Sequence, residues 1–376
     1  MLTSCATDYI TWANVYEPGK SEINGVTLHR FAVEYPRDGR KFRSINRKIK
    51  KRKPYQKLLK LLGLLDLFEK MSTANAMQQD EEKWIRVQGP YMPGLITYLQ
   101  QNQQQYDALI FFTYLYYPTI EGIKIAPHKS ILIPTAHDEP PIYFNLFKRF
   151  FKTPRAILYN TISEKRFVNR MFHNEDIYSD IVGVGIEQHP PVVKHSVTDI
   201  LQTTEPYIIY IGRIEGSKGC KKLIDHFLDY KKATGNKLKL VFVGQAFMKI
   251  DEHPDIIPVG FVDEDVKITL LQNAEALMMP SFYESLSMVT LEGMAYGIPV
   301  IANKECEVLK DHMDNSQAGF LYNSNSSFIT ALNTLFDNNT NRQQLSENAR
   351  QYVAQNYTWH TVLHKYNRVI DYITGE

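Results

Sequence analysis

Short apolar runs recur along this chain with helical patterns between them, and few folds accommodate that rhythm. Val26–Tyr35, Asp107–Thr113, Ser130–Thr135, Arg155–Tyr159 and Asp180–Val184 read as strands in the first half. Tyr207–Gly212, Leu238–Val243, Ile256–Gly260, Ala276–Met279 and Pro299–Ala302 do so in the second. Several are unbroken β-branched or aromatic runs, as expected of strands covered on both faces of a parallel sheet. Lys221–Lys232 and Ser285–Tyr296 carry helical patterns. Alternation of this kind over 376 residues, too many for one ordinary core, predicts an α/β protein with two Rossmann-like sheets. The turn-rich stretch His189–Thr204 marks the expected break between them.

Composition removes other classes. With 44% hydrophobic and 22% charged residues the chain can bury a core, so disorder throughout is excluded. Three distant cysteines, Cys5, Cys220 and Cys306, exclude a disulfide framework or a cysteine-rich zinc site and point to a reducing compartment. Ala108–Tyr117, the best candidate for a membrane span, is too short and reads as a buried strand. The expectation is a cytoplasmic protein, peripheral on the cytoplasmic membrane face if it meets a membrane at all.

Two stretches in the second half carry chemistry. Tyr207-Ile-Ile-Tyr-Ile-Gly212-Arg213-Ile-Glu-Gly-Ser-Lys218-Gly219 reads as strand, turn and helix start. Glycines let a backbone approach closely, Arg213 can fork onto phosphate oxygens, and Lys218 supplies a point charge, so the loop suits a diphosphate. It also reads as an ordinary βα connection with surface cations. The second stretch runs from Pro280 through Glu284, Ser287, Met288 and Glu292 to Gly297-Ile-Pro299. With a helix starting near Ser285, Glu284 sits at its entrance, and Glu292 lies about 12 Å along the axis and roughly 80° around it. Free amides near Ser287 and Met288 would face phosphate. The plainer alternative makes Glu284 a helix cap and Glu292 a solvated residue.

Gly-Arg-x4-Lys-Gly followed by Glu-x7-Glu and Gly-x-Pro-Val resembles the retaining nucleotide-sugar glycosyltransferases of the GT-B fold, family 4. The order and spacing fit over Tyr207–Tyr322 and extend more weakly along the chain. The resemblance implies two Rossmann-like domains facing across a cleft: residues 1–190, joined by a returning C-terminal helix within 358–376, on the acceptor side, and 191–357 on the nucleotide-sugar side. It implies that Arg213 and Lys218, with amides at Ser287 and Met288, bind the donor diphosphate. Glu284 would contact the donor sugar and Glu292 the ribose. It further implies a sugar-facing role for His137, just past the strand that ends in Ile131-Leu-Ile-Pro-Thr-Ala. Phe261, after Gly260, matches the loop that meets the base and also reads as core. Glu305 and Cys306, after the Pro-Val strand, are lesser candidates. Asn160-Thr-Ile-Ser163-Glu164 matches a family pattern without an assigned role. Many members carry Phe-Gly where this chain has Leu286-Ser287.

The implied reaction moves a sugar from a UDP- or GDP-linked donor to an acceptor hydroxyl, with retention at the anomeric carbon, in cell-surface polysaccharide or glycolipid synthesis. No metal and no organic cofactor is expected. Family members open with a strand and a glycine-rich loop, whereas Met1 runs straight into Leu2-Thr3-Ser4, the end of a second strand. A missing first βα unit is therefore expected. Two alternatives stay open: another GT-B chemistry, such as a nucleotide-sugar epimerase or a phosphorylase, though the cofactor lysine and greater length of a pyridoxal-phosphate phosphorylase are not evident, or a truncated, non-catalytic donor-binding or membrane-associated protein.

The charge distribution adds a partner. Arg40–Lys60 holds eleven Lys and Arg and no Asp or Glu, which leaves 32 basic residues against 41 acidic ones elsewhere. Leu58, Leu61, Leu62, Leu65 and Phe68 then share one helical face. A cationic stretch leading into an apolar face suits an anionic membrane surface. A core-facing helix with a solvated basic flank is the competing reading. Nucleic acid is not expected, because the segment has few aromatics and the rest of the chain is acidic.

Overall fold

The structure, a computed structural model, describes residues 1–50, 74–187, 196–337 and 342–375. The chain divides into two compact units. The first comprises Met1–Tyr159, Arg166–Asp180 and Arg368–Glu376, and the second Asn160–Lys165 and Ile181–Asn367. The expected break at 190/191 lies outside the described residues.

The first unit holds two sheets. In one, β1 (Leu2–Ser4) pairs parallel with β3 (Val26–Phe31), and β2 (Gly19–Ile23) pairs antiparallel with β3. Asn24 and Gly25 make the β2–β3 turn with φ of 49° and 78°, the left-handed pair that an Asn-Gly hairpin supplies. The other sheet has the order β4 (Leu109–Phe112), β5 (Ser130–Ile133), β6 (Ala156–Tyr159), β7 (Tyr178–Ile181). Edge-on aromatic contacts among Trp84, Tyr114, Phe144 and Phe147 knit this unit's core. The end of the helix Trp359–Thr374 belongs here too: Tyr372 stacks on Tyr178 at 4.2 Å, and the Arg155 guanidinium lies over the Tyr372 ring.

The basic segment begins as the helix Gly39–Lys50, which packs against the helix Ala74–Gln88 through a 2.8 Å bond from Trp84 Nε1 to Asn46 Oδ1. Its continuation, including the leucine face from Leu58 to Phe68, lies outside the described residues. Among the described residues no helix is long and apolar enough to cross a membrane.

The second unit is built on a six-stranded sheet in which every described pairing is parallel. Its strands are β8 (Tyr207–Ile211), β9 (Lys239–Val243), β10 (Ile256–Gly260), β11 (Ala276–Met279), β12 (Val300–Asn303) and β13 (Gly319–Tyr322). Their spatial order is β10-β9-β8-β11-β12-β13. Alternate residues feed two cores. Ile209, Ile211, Val241, Val243, Leu277 and Met279 face one side, and Ile208, Tyr210, Leu240, Phe242, Ala276 and Met278 the other. Burying each large aliphatic side chain contributes about 1.5–3 kcal/mol, which is why these runs carry no polar alternation. The chain steps outward from β8 to β10 and then returns to β11 on the far side of β8. That reversal opens a crevice at the carboxyl ends of β8 and β11, where ligands bind in open α/β sheets.

Candidate functional site

The loop leaving β8 reaches the loop leaving β11 because of a glycine. Gly219 has φ of 78°, and a Cβ there would stand 2.2 Å from the Pro280 carbonyl oxygen. Only glycine permits both the left-handed turn and that approach. Lys218 precedes it, and Lys218 Nζ lies 2.8 Å from Glu284 Oε1. The two side chains are 27% and 15% exposed, so the pair is sheltered without being sealed from a ligand. Arg213 stands on the same loop, half exposed, with Nη2 at 3.3 Å from Glu215 Oε1.

The loop Pro280–Ser287 is held from several sides. Asn303, at the end of β12, directs Nδ2 at the carbonyls of Pro280 and Ser281, at 3.3 and 3.4 Å. Lys222 Nζ lies 4.6 Å from the centre of the Phe282 ring. His312 Nε2 meets the Leu286 carbonyl at 2.7 Å. The helix begins at Met288, not near Ser285, which corrects the expectation that Glu284 stands at the helix entrance. The break falls at Ser287. Ser287 adopts φ of 62° and ψ of 67°, outside the helical region, and its Oγ lies 2.8 Å from Thr290 Oγ1. Ser287 O accepts from the amides of Thr290 and Leu291, while the amides of Met288 and Val289 meet no acceptor among the described residues. Those two donors remain available to an anion.

Glu292 lies within the helix Met288–Ala295, with Oε2 at 3.0 Å from Lys267 Nζ. Lys267 also meets Glu264 Oε1 at 2.7 Å. Burial alone would lower the lysine's pKa, but its two carboxylate partners raise it, so the cation stays charged between them. Phe261 follows β10 and is 85% exposed, so it is not core. Arg213, Lys218, Glu284 and Phe261 therefore stand on loops at one end of one sheet.

The lesser candidates separate. Glu305 is exposed, and its amide bonds to Asn303 Oδ1. Cys306 is buried in the core, its thiol pushed up to about 11 by burial. The loop contact from this segment comes instead from Asn303. Lys267, Asn303 and His312 escaped the sequence reading. Asn303 alone left a trace, as the polar residue closing a buried apolar strand.

His137 belongs to the first unit, past the carboxyl end of β5. Its Nε2 lies 3.8 Å from Glu139 Oε2, and its buried Nδ1 finds no hydrogen-bond partner among the described residues. Glu139 is fixed by a 2.8 Å bond from the Tyr114 hydroxyl. The Asn160–Glu164 pattern caps a helix: the Glu164 amide bonds to Thr161 Oγ1 at 3.1 Å, and Glu164 Oε2 accepts the Asn160 amide at 2.6 Å. Among the described residues no cluster of three or more His, Cys, Asp or Glu could hold a metal ion.

Residues 197–352 match the family model for glycosyl transferases group 1. An uncharacterised glycosyltransferase of Methanocaldococcus jannaschii is 25% identical over 175 residues, 43% of this chain and 44% of the relative. The chain spans less than half the length of the curated relatives it matches. Among solved structures, sucrose-phosphate synthase from Thermosynechococcus elongatus aligns over 96% of this chain and 86% of its own, with a TM-score of 0.64 and 13% identity. An Anabaena protein solved in complex with UDP aligns over 74% of this chain and 82% of its own, with a TM-score of 0.61 and 14% identity. The fold is the α/β architecture with parallel sheets found in GT-B glycosyltransferase structures.

Proposed function

We propose that this chain transfers a sugar from a nucleotide-diphosphate donor to an acceptor hydroxyl with retention of anomeric configuration. The observation that carries the reading is the Lys218–Glu284 pair at the strand-order reversal of the second unit, followed by two helix amides that meet no acceptor among the described residues. Arg213, Lys218 and the amides of Met288 and Val289 take the diphosphate. Glu284 takes the donor sugar, Glu292 the ribose, and Phe261 offers a face to the base. Contact with the donor sugar is the part proposed for His137. The group 1 family match and the UDP complex of the Anabaena relative support a nucleotide-sugar donor.

Chemically, the bond from the anomeric carbon to the diphosphate oxygen breaks, and the acceptor oxygen bonds to that carbon on the same face. The acceptor's proton passes to the departing diphosphate. The protein has then to stabilise the charge growing on the leaving group and hold the reactants, which fixed cations and amides do without reorganising. The test is thermal unfolding against a panel of UDP- and GDP-sugars, followed by product analysis with the donor that stabilises most. A donor at a hundred times its dissociation constant adds about 2.7 kcal/mol. Stabilisation followed by glycosyl transfer supports the reading, and stabilisation with donor left intact points to a donor-binding protein.

We also propose that the helix Gly39–Lys50 meets an anionic lipid surface, since Arg40, Lys41, Arg43 and Arg47 are exposed and the helix holds no acidic residue. Each cation near such a surface is worth up to about 1 kcal/mol and is screened by salt. Replacing these four by Gln should abolish flotation with phosphatidylserine vesicles at low salt and leave nucleotide binding intact. A wild-type chain that ignores such vesicles ends this part of the proposal.

A further inference from the structure

His312 lies on the helix Glu307–Ser316, twenty residues beyond Glu292, and no motif singles it out. It is 1% exposed, and both ring nitrogens are engaged. Nε2 stands 2.7 Å from the Leu286 carbonyl oxygen and Nδ1 3.0 Å from the Tyr352 hydroxyl. A carbonyl only accepts, so Nε2 carries the proton. Nδ1, unprotonated in the neutral ring, then accepts from Tyr352. Burial lowers the pKa of this histidine and outweighs the opposing pulls of the Leu286 carbonyl and of Asp311, which keeps the ring neutral. Behind it, the Tyr352 hydroxyl lies 3.4 Å from that of Tyr357, and the three rings pack edge-on.

The carbonyl that His312 grips belongs to the peptide joining Leu286 to Ser287. Fixing that plane sets ψ of Leu286 and bounds the rotation of Ser287, a residue in the left-handed region that must be over-determined by its surroundings. Glu284 lies two residues before the gripped carbonyl, and the amides of Met288 and Val289, which meet no acceptor among the described residues, follow directly after Ser287. The imidazole thus stands behind the turn that aims both groups. We propose that His312 is a positioning residue for the sugar-side loop Pro280–Ser287, setting Glu284 and the helix-start amides in the geometry that transfer requires. This rests on the glycosyltransferase reading for what the loop touches, and on the structure alone for the anchoring.

The test compares His312→Leu, His312→Gln and Tyr352→Phe in the full chain. Amide hydrogen exchange reads the anchoring directly. His312→Leu should accelerate exchange over Pro280–Val289 about 10-fold or more, as for loss of a buried hydrogen bond, and leave β8 and β9 unchanged. His312→Gln, whose amide can donate from near the position of Nε2, should restore most of the protection. Tyr352→Phe, which folds with the smallest change in shape, should shift exchange in the same direction by less. The functional arm uses UDP and GDP as nucleotide probes and UDP-glucose and GDP-mannose as donors. His312→Leu should lower kcat about 10-fold or more, keep nucleotide affinity within about 3-fold, and be rescued by Gln. Unchanged exchange over the loop overturns the inference, as does a loss spread evenly over the whole second unit. Altered loop exchange in a protein that binds none of the four probes leaves the anchoring standing and removes the donor reading instead.

Discussion

Glu284 and Glu292 lie eight residues apart, each paired with a lysine, yet they are held by different means. Glu292 sits on a regular helix, and Lys267, its partner, is shared with Glu264 on a helix that starts just beyond β10. Its position follows from local backbone geometry. Glu284 sits on a loop with no repeating structure, and its position is assembled from Lys218, Asn303 and His312, drawn from three other places in the chain. A carboxylate on a helix is placed by propensity and packing. A carboxylate on such a loop is placed by a set of contacts that succeed or fail together. The first suits a constant contact such as a ribose, and the second suits a contact that must be aimed.

The largest expected effect breaks the loop's own ion pair. Lys218→Ala removes both the proposed diphosphate cation and the partner of a carboxylate only 15% exposed. Turnover at saturating donor should fall by about 10²–10³, the scale for losing one preorganised donor to developing charge. Unchanged initial rates would end the assignment. Next, Glu292→Gln should weaken binding of free UDP or GDP about 10-fold by calorimetry, the worth of one hydrogen bond to a charged group. Glu284→Gln should spare the free nucleotide and impair only use of the sugar donor. The reverse order would mean that the two carboxylates have exchanged roles.

A smaller effect concerns pH. Burial depresses the pKa of His312 below 6.5, so the folded chain refuses a proton that the unfolded chain accepts. The stabilisation is therefore complete above pH 6.5 and is lost as pH falls below it, by at most about 1.4 kcal/mol per pH unit. Tyr352, Tyr357 and Asp311 face the ring. Denaturant unfolding between pH 7.5 and 5.5 should show this slope in the wild type and a flatter one in His312→Gln. The smallest effect is Ser287→Gly. Relief of left-handed strain, about 1 kcal/mol, offsets the lost bond to Thr290 and the greater freedom of the unfolded glycine. Melting should shift by no more than a few degrees, which separates a position needing an anchor from one needing a particular side chain.

Legibility of the fold tracked burial. β11 lies where its apolar run puts it, and β8 and β9 within a residue, because strands covered on both faces leave no polar interruptions. β10, the half-covered edge strand, was legible from its Ile-Ile and Val residues in spite of its exposure. β2 is exposed along its whole length and carries no hydrophobic pattern, so only its turn could have revealed it. The Asn24-Gly25 pair was that signal. Gly319–Tyr322 was too short and only partly buried to stand out. In the candidate site, Lys218, Glu284 and Glu292 were legible because their spacing on one βα loop and one loop–helix unit is a matter of sequence. Lys267, Asn303 and His312 were not, because they reach their partners through the tertiary fold. The misplaced helix start has the same origin: nothing in Ser285-Leu286-Ser287 announces that a buried histidine will hold the preceding carbonyl out of the helix.

The three cysteines have a practical consequence. Cys5, Cys220 and Cys306 are free, buried, and carry thiols whose pKa values burial raises. Thiolate, the reactive form, is scarce at all three near neutral pH, so the native protein is close to inert toward maleimides and iodoacetamides. A single cysteine introduced at an exposed position would then be labelled alone, without first removing the natural ones. Tyr283 is 57% exposed and adjoins Glu284. Tyr283→Cys carrying an environment-sensitive fluorophore would turn the loop into its own optical reporter, read in real time as each nucleotide-sugar is added.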